Sequence, residues 1–62
     1  MTNFYVEIIG PYDQTIYGPF PDRQTAVTYT GKIPVIFDTY VVSQTQLDTK
    51  IREFGPITIE AP

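Results

Sequence analysis

The 62-residue chain has no cysteine, no histidine and no tryptophan. Without thiols there is no disulfide, no thiolate nucleophile and no cysteine-based zinc site. Without imidazole the commonest general base and metal ligand is missing too. Cations are nearly as scarce: Arg23, Lys32, Lys50 and Arg52 stand dispersed against seven acids, for a formal net charge of −3. Nucleic-acid binders neutralise phosphates with clustered Lys and Arg, so this balance argues against a nucleic-acid partner. No apolar run is long enough to span a bilayer, and no basic, apolar leader follows Met1. A cytoplasmic protein with no membrane association is therefore expected. At this length the expectation is one domain, residues 1–62, whose core is only just sufficient for stability.

What the chain does have is aromatic rings and Gly-Pro pairs. Four Phe and five Tyr make up 15% of the residues, an excess that fits either half-buried core rings or a binding surface. Gly10-Pro11, Gly18-Pro19 and Gly55-Pro56 punctuate the chain, because Pro removes a ladder donor and Gly tolerates turn geometry. Asn3 to Ile9 alternates as a first strand, with Phe4, Val6 and Ile8 on the expected core face and Tyr5, Glu7 and Ile9 on the other. A turn over residues 10–14 leads to a returning strand from Thr15 to Gly18. Asp22 is placed to cap a helix from Arg23 to Thr30, which Gly31 ends as a left-handed residue.

Val35 to Val42 is β-branched and aromatic, which predicts the strongest strand. Ser43 and Gln46 have capping-box spacing, and Val42 and Leu47 that of a hydrophobic staple. Leu47, Ile51 and Phe54 then form the stripe of a second helix, stopped by Gly55-Pro56, before a last strand from Ile57 to Glu60. Residues 38–54 also read as a longer strand or bent hairpin, since Thr and Gln are common in edge strands. The preferred order is β-β-α-β-α-β, an α+β two-layer sandwich of a mainly antiparallel sheet with both helices on one face.

No catalytic constellation emerges. Asp13 and Asp22 could form an acid/base pair, but each is conformationally favoured where it stands, as turn residue and cap. Ser43 has no base to activate it. Phosphate-cradling Gly motifs and calcium-loop spacing are absent, so no enzyme activity, cofactor or metal is expected. One sheet face left uncovered would present rings to solvent, and the expected partner-binding residues are Tyr5, Tyr12, Tyr17 and Tyr40, with Glu7 and Asp13 at the rim. The alternatives are half-buried structural tyrosines, a homodimer or larger homo-oligomer paired through the edge of the C-terminal strand, and, third, a single-stranded nucleic-acid binder.

Tyr17-Gly18-Pro19-Phe20 followed by a capped helix containing Ala26 resembles the strand-turn-helix element of SPOR-like domains. It also resembles short phage and bacterial proteins that begin with a hairpin, Gly-Pro-Phe and a helix. Size and a composition rich in Thr, Tyr, Gln and Pro resemble those of small phage accessory proteins. That resemblance implies a protein partner in the host cytoplasm, bound and modulated or inhibited by occlusion.

Overall fold

The run FYVEII is apolar at every position but one, and in the computed structural model, which describes residues 2–62, it forms a central strand, β1 (Phe4–Ile9). Antiparallel neighbours β2 (Gln14–Phe20) and β3 (Asp38–Ser43) flank it, and β4 (Ile59–Glu60) joins β2 in parallel, giving the order β3-β1-β2-β4. With helices α1 (Arg23–Thr30) and α2 (Gln44–Phe54), the chain order is β-β-α-β-α-β and the fold is α+β.

Both faces of the sheet are apolar and both are covered. Tyr5 lies opposite Val42 and Glu7 opposite Ile16, so these residues share one face; Val6, opposite Tyr17 and Val41, points to the other. The first face packs Tyr5, Ile16 and Val42 against Leu47 of α2, with Ile57 and Ile59 alongside. The second packs Val6, Ile8 and Phe20 against Ala26 of α1, with Phe4, Tyr17 and Tyr29 around them. The helices thus sit on opposite faces in an α-β-α stack. This corrects the two-layer expectation of both helices on one face. The physical reason is that β1 carries apolar residues on both sides, and neither set can be left in water without losing about 25 cal/mol per Å² of apolar surface.

The Gly18-Pro19 pair does not end β2. Phe4 pairs with Phe20 and Val6 with Tyr17, so β2 carries one extra residue opposite Tyr5, a β-bulge that lets the strand run on to Phe20. The Gly18–Pro19 peptide is cis. Gly18 is required by the Tyr5 ring, because a Cβ there would fall 2.5 Å from its Cδ2. Phe20 is thereby delivered to α1, its ring 5.1 Å from that of Tyr29, which also meets Tyr17 at 5.7 Å.

The caps form as local chemistry dictates. Asp22 Oδ1 accepts from the Thr25 amide at 2.7 Å and from its hydroxyl at 2.8 Å. Ser43 and Gln46 close a full capping box, Gln46 N–H to Ser43 Oγ at 3.2 Å and Ser43 N–H to Gln46 Oε1 at 2.8 Å. Gly31 is right-handed, not left-handed as expected: the amides of Gly31, Lys32 and Ile33 each donate three residues back, so the helix tightens before it releases. Gly55, at φ 92°, holds a conformation that a side chain resists.

Other limits differ from expectation. Val35, Ile36 and Phe37 precede β3 as a turn, because the Phe37 amide closes onto the Pro34 carbonyl at 3.1 Å. β4 begins only at Ile59, and of the α2 stripe only Leu47 is buried, Phe54 being 77% exposed.

Two outcomes are expected. Gly18→Ala should destabilise by about 1–3 kcal/mol through overpacking on Tyr5, whereas Gly31→Ala, whose Cβ meets only the Thr28 carbonyl at 3.3 Å, should change stability by far less in urea titration. The two hydrogen bonds from Thr25, backbone first and then hydroxyl, hold the Asp22 carboxyl below its ordinary 3.8. A carboxyl with a lowered folded pKa stabilises above its unfolded value and loses that contribution as pH falls through the folded one. Thermal melts between about pH 5 and pH 2 should therefore show a shallower acid decline for Asp22→Ala than for the wild type.

Candidate interaction surface

The residues expected at a partner surface do not share one face. Tyr5 is buried beneath α2, its hydroxyl donating to Gln44 Oε1 at 2.7 Å, and Gln44 in turn donates to Asp48 Oδ1 at 2.9 Å. Glu7 is only 5% exposed; it accepts from Gln14 Nε2 and lies 3.7 Å from Lys50 Nζ. Tyr17 is half-buried on the α1 face, across the sheet from Tyr5 rather than beside it. These three serve the fold, so the uncovered tyrosine face of the hairpin does not exist. Tyr12, Asp13 and Tyr40 are the members that reach solvent.

Exposure is concentrated at one end of the sheet. There β1 ends at Ile9 opposite Asp38, so the hairpin loop Gly10–Asp13 and the turn Pro34–Phe37 stand side by side. The Gly10 amide donates to the Asp13 carbonyl at 2.8 Å, and a Cβ on Gly10 would fall 2.8 Å from Phe37 Cε1, so the Phe37 ring clamps the two loops together. Above this clamp Tyr12 is 99% exposed, Val35 99% and Ile36 76%. Val35 and Ile36 occupy the two corner positions of the turn, where Gly, Pro, Asn or Asp is ordinarily found. β-branched apolar residues there help neither the turn nor the core. Asp13 and Asp38 flank the tip, and neither loop contains a Lys or Arg.

The sequence signal for this tip is the Pro34-Val35-Ile36 run, which strand propensity assigns to a strand and masks. A separate open cleft of about 560 Å³ lies between β2 and the C-terminal end of α2, lined by Gln14, Ile16, Lys50, Phe54, Pro56, Ile57 and Thr58. Gln14 and Lys50 in its wall are the groups engaged with Glu7. Among the described residues no group of His, Cys, Asp or Glu side chains could hold a metal ion, and no helix is long and apolar enough to cross a membrane. No family model matches the chain, and neither a curated protein nor a solved structure matches it.

The placement of Tyr5 separates two substitutions. Tyr5→Phe loses one hydrogen bond and should cost about 1 kcal/mol. Tyr5→Ala should cost about 3–5 kcal/mol, comparable to the whole stability of so small a domain, and so abolish cooperative unfolding in a urea titration followed by circular dichroism.

Proposed function

We propose that this chain is a small non-enzymatic protein-binding module that inserts its apolar tip into a recess on a larger protein and modulates or inhibits it by occlusion. Small phage accessory proteins acting on a host protein in its cytoplasm are the kind of molecule this reading describes. The observation that carries it is the pair Val35 and Ile36, held in water at the corners of a hydrogen-bonded turn, where they serve no fold requirement. Local rules of this kind are broken mainly where function requires it. Covering these two side chains and Tyr12 would gain about 1.5–3 kcal/mol for each fully buried aliphatic chain, enough to anchor a complex from a small footprint.

Charge narrows the partner. Asp13 and Asp38 border the tip with no cation between them, so a recess rimmed by Lys or Arg is complementary and one rimmed by acids is excluded. The Phe37 clamp on Gly10 supports the reading by fixing the two loops relative to one another before binding, which lowers the entropy cost of association.

Tyr12→Ser combined with Val35→Ser and Ile36→Ser should leave unfolding stability within about 0.5 kcal/mol of wild type, since none of the three packs in the core. The same variant should no longer retain the proteins that tagged wild type captures from a lysate of the source organism or its host. Equal capture by the triple variant would contradict the proposal.

A further inference from the structure

The outer edge of β3 carries a hydrogen-bonding pattern that fits a second copy of itself. Among the described residues β3 pairs only with β1, so its other side is open. The Gln44 amide donates to the Asn3 carbonyl at 2.9 Å, which fixes the alternation along the ladder. Val42, Tyr40 and Asp38 turn their N–H and C=O toward β1, and Thr39, Val41 and Ser43 turn theirs outward. The Ser43 amide is already taken by Gln46 Oε1 in the capping box. Among the described residues nothing bonds the N–H and C=O of Thr39 and of Val41.

We propose that β3 pairs antiparallel with β3 of a second copy about a twofold axis at Tyr40, joining the two sheets into one of eight strands. In this register Thr39 of each copy exchanges both backbone bonds with Val41 of the other, and every free outward N–H is used. A twofold centred on Val41 would set Thr39 against Ser43, and one centred on Thr39 would set Val41 against Phe37, and both of those amides are occupied. The capping box and the Phe37 turn therefore select the register.

Side chains agree with this. Tyr40 meets its symmetry mate as a close non-hydrogen-bonded pair, the position where cross-strand aromatic pairs are favourable. Tyr40 is 52% exposed, because it lies on the α2 face while α2 leads away from β3 toward the β2 side, where Lys50 and Phe54 border the cleft beside Gln14 and Ile16. The one charge on the strand, Asp38, would face Val42 of the other copy, so no like charges oppose each other. The edge carries no Pro, no Lys and no bulge, and its one charge, Asp38, lies at its end. β4, the edge expected from sequence to pair, is only two residues long.

This surface is distinct from the tip, so the two proposals fail separately. Sedimentation velocity from about 1 μM to about 1 mM should show wild type passing from 7.1 kDa to twice that mass. Thr39→Pro removes an outward donor while sparing every bond to β1, and Tyr40→Glu sets two carboxylates face to face. Each should weaken dimerisation at least tenfold, with circular dichroism unchanged, whereas the Tyr12, Val35 and Ile36 serine variant should dimerise as wild type does. The chain has no native cysteine, so Tyr40→Cys should form an intermolecular disulfide on mild oxidation, and Val41→Cys should not. A wild type that stays at 7.1 kDa throughout, or cross-linking at Val41→Cys in place of Tyr40→Cys, overturns the proposal.

Discussion

Tyr5 and Val6 are neighbours in sequence and point into different cores. The structure depends on that alternation in β1, because each helix is placed by one of the two faces it creates. α2 and the segment carrying Ile57 and Ile59 are held to the Tyr5 face, and α1 with the aromatic group of Phe20, Tyr17 and Tyr29 to the Val6 face. Each core is small, four buried residues in both cases, and neither would support a domain alone. The Gly18 bulge belongs to the same constraint: Tyr5 needs the space a side chain would fill, and the extra residue carries Phe20 to the opposite face.

Features fixed by neighbouring residues were legible in the sequence. The span of α1, the Asp22 cap, the Ser43 and Gln46 capping box and the order of elements follow from short-range chemistry, and the structure contains all of them. Sidedness was not legible by alternation alone, because in FYVEII both residue sets are apolar apart from Glu7. A near-continuous apolar strand is the mark of burial on both faces, and that signal would have placed Tyr5 inside. Glu7 reads as a rim residue because the groups that hold it, Gln14 by a hydrogen bond and Lys50 by its charge, arrive from two other elements. Propensity assigns Val35 and Ile36 to a strand, and the Phe37 to Pro34 turn bond overrides it. Of the expected surface residues, Tyr12, Asp13 and Tyr40 could be placed at the surface because they fall in a loop or on an edge strand, where nothing has to cover them.

The two uncovered surfaces have different physical character. The tip is apolar and acid-rimmed, and its exposed side chains, Tyr12, Val35 and Ile36, are not packed in either core. The β3 edge is a row of backbone groups whose spacing is set by the ladder to β1 and ended by a helix cap. One presents side chains to solvent and the other presents main chain.

That a single strand ties two small cores into one cooperative unit is testable by native-state hydrogen exchange. The amides of Tyr5 and Glu7 bond toward β3, and those of Val6 and Ile8 toward β2. If β1 couples the cores, all four exchange with the same free energy, equal to that of global unfolding. Faster exchange at Tyr5 and Glu7 alone would mean that β3 and α2 open independently, and would contradict the account.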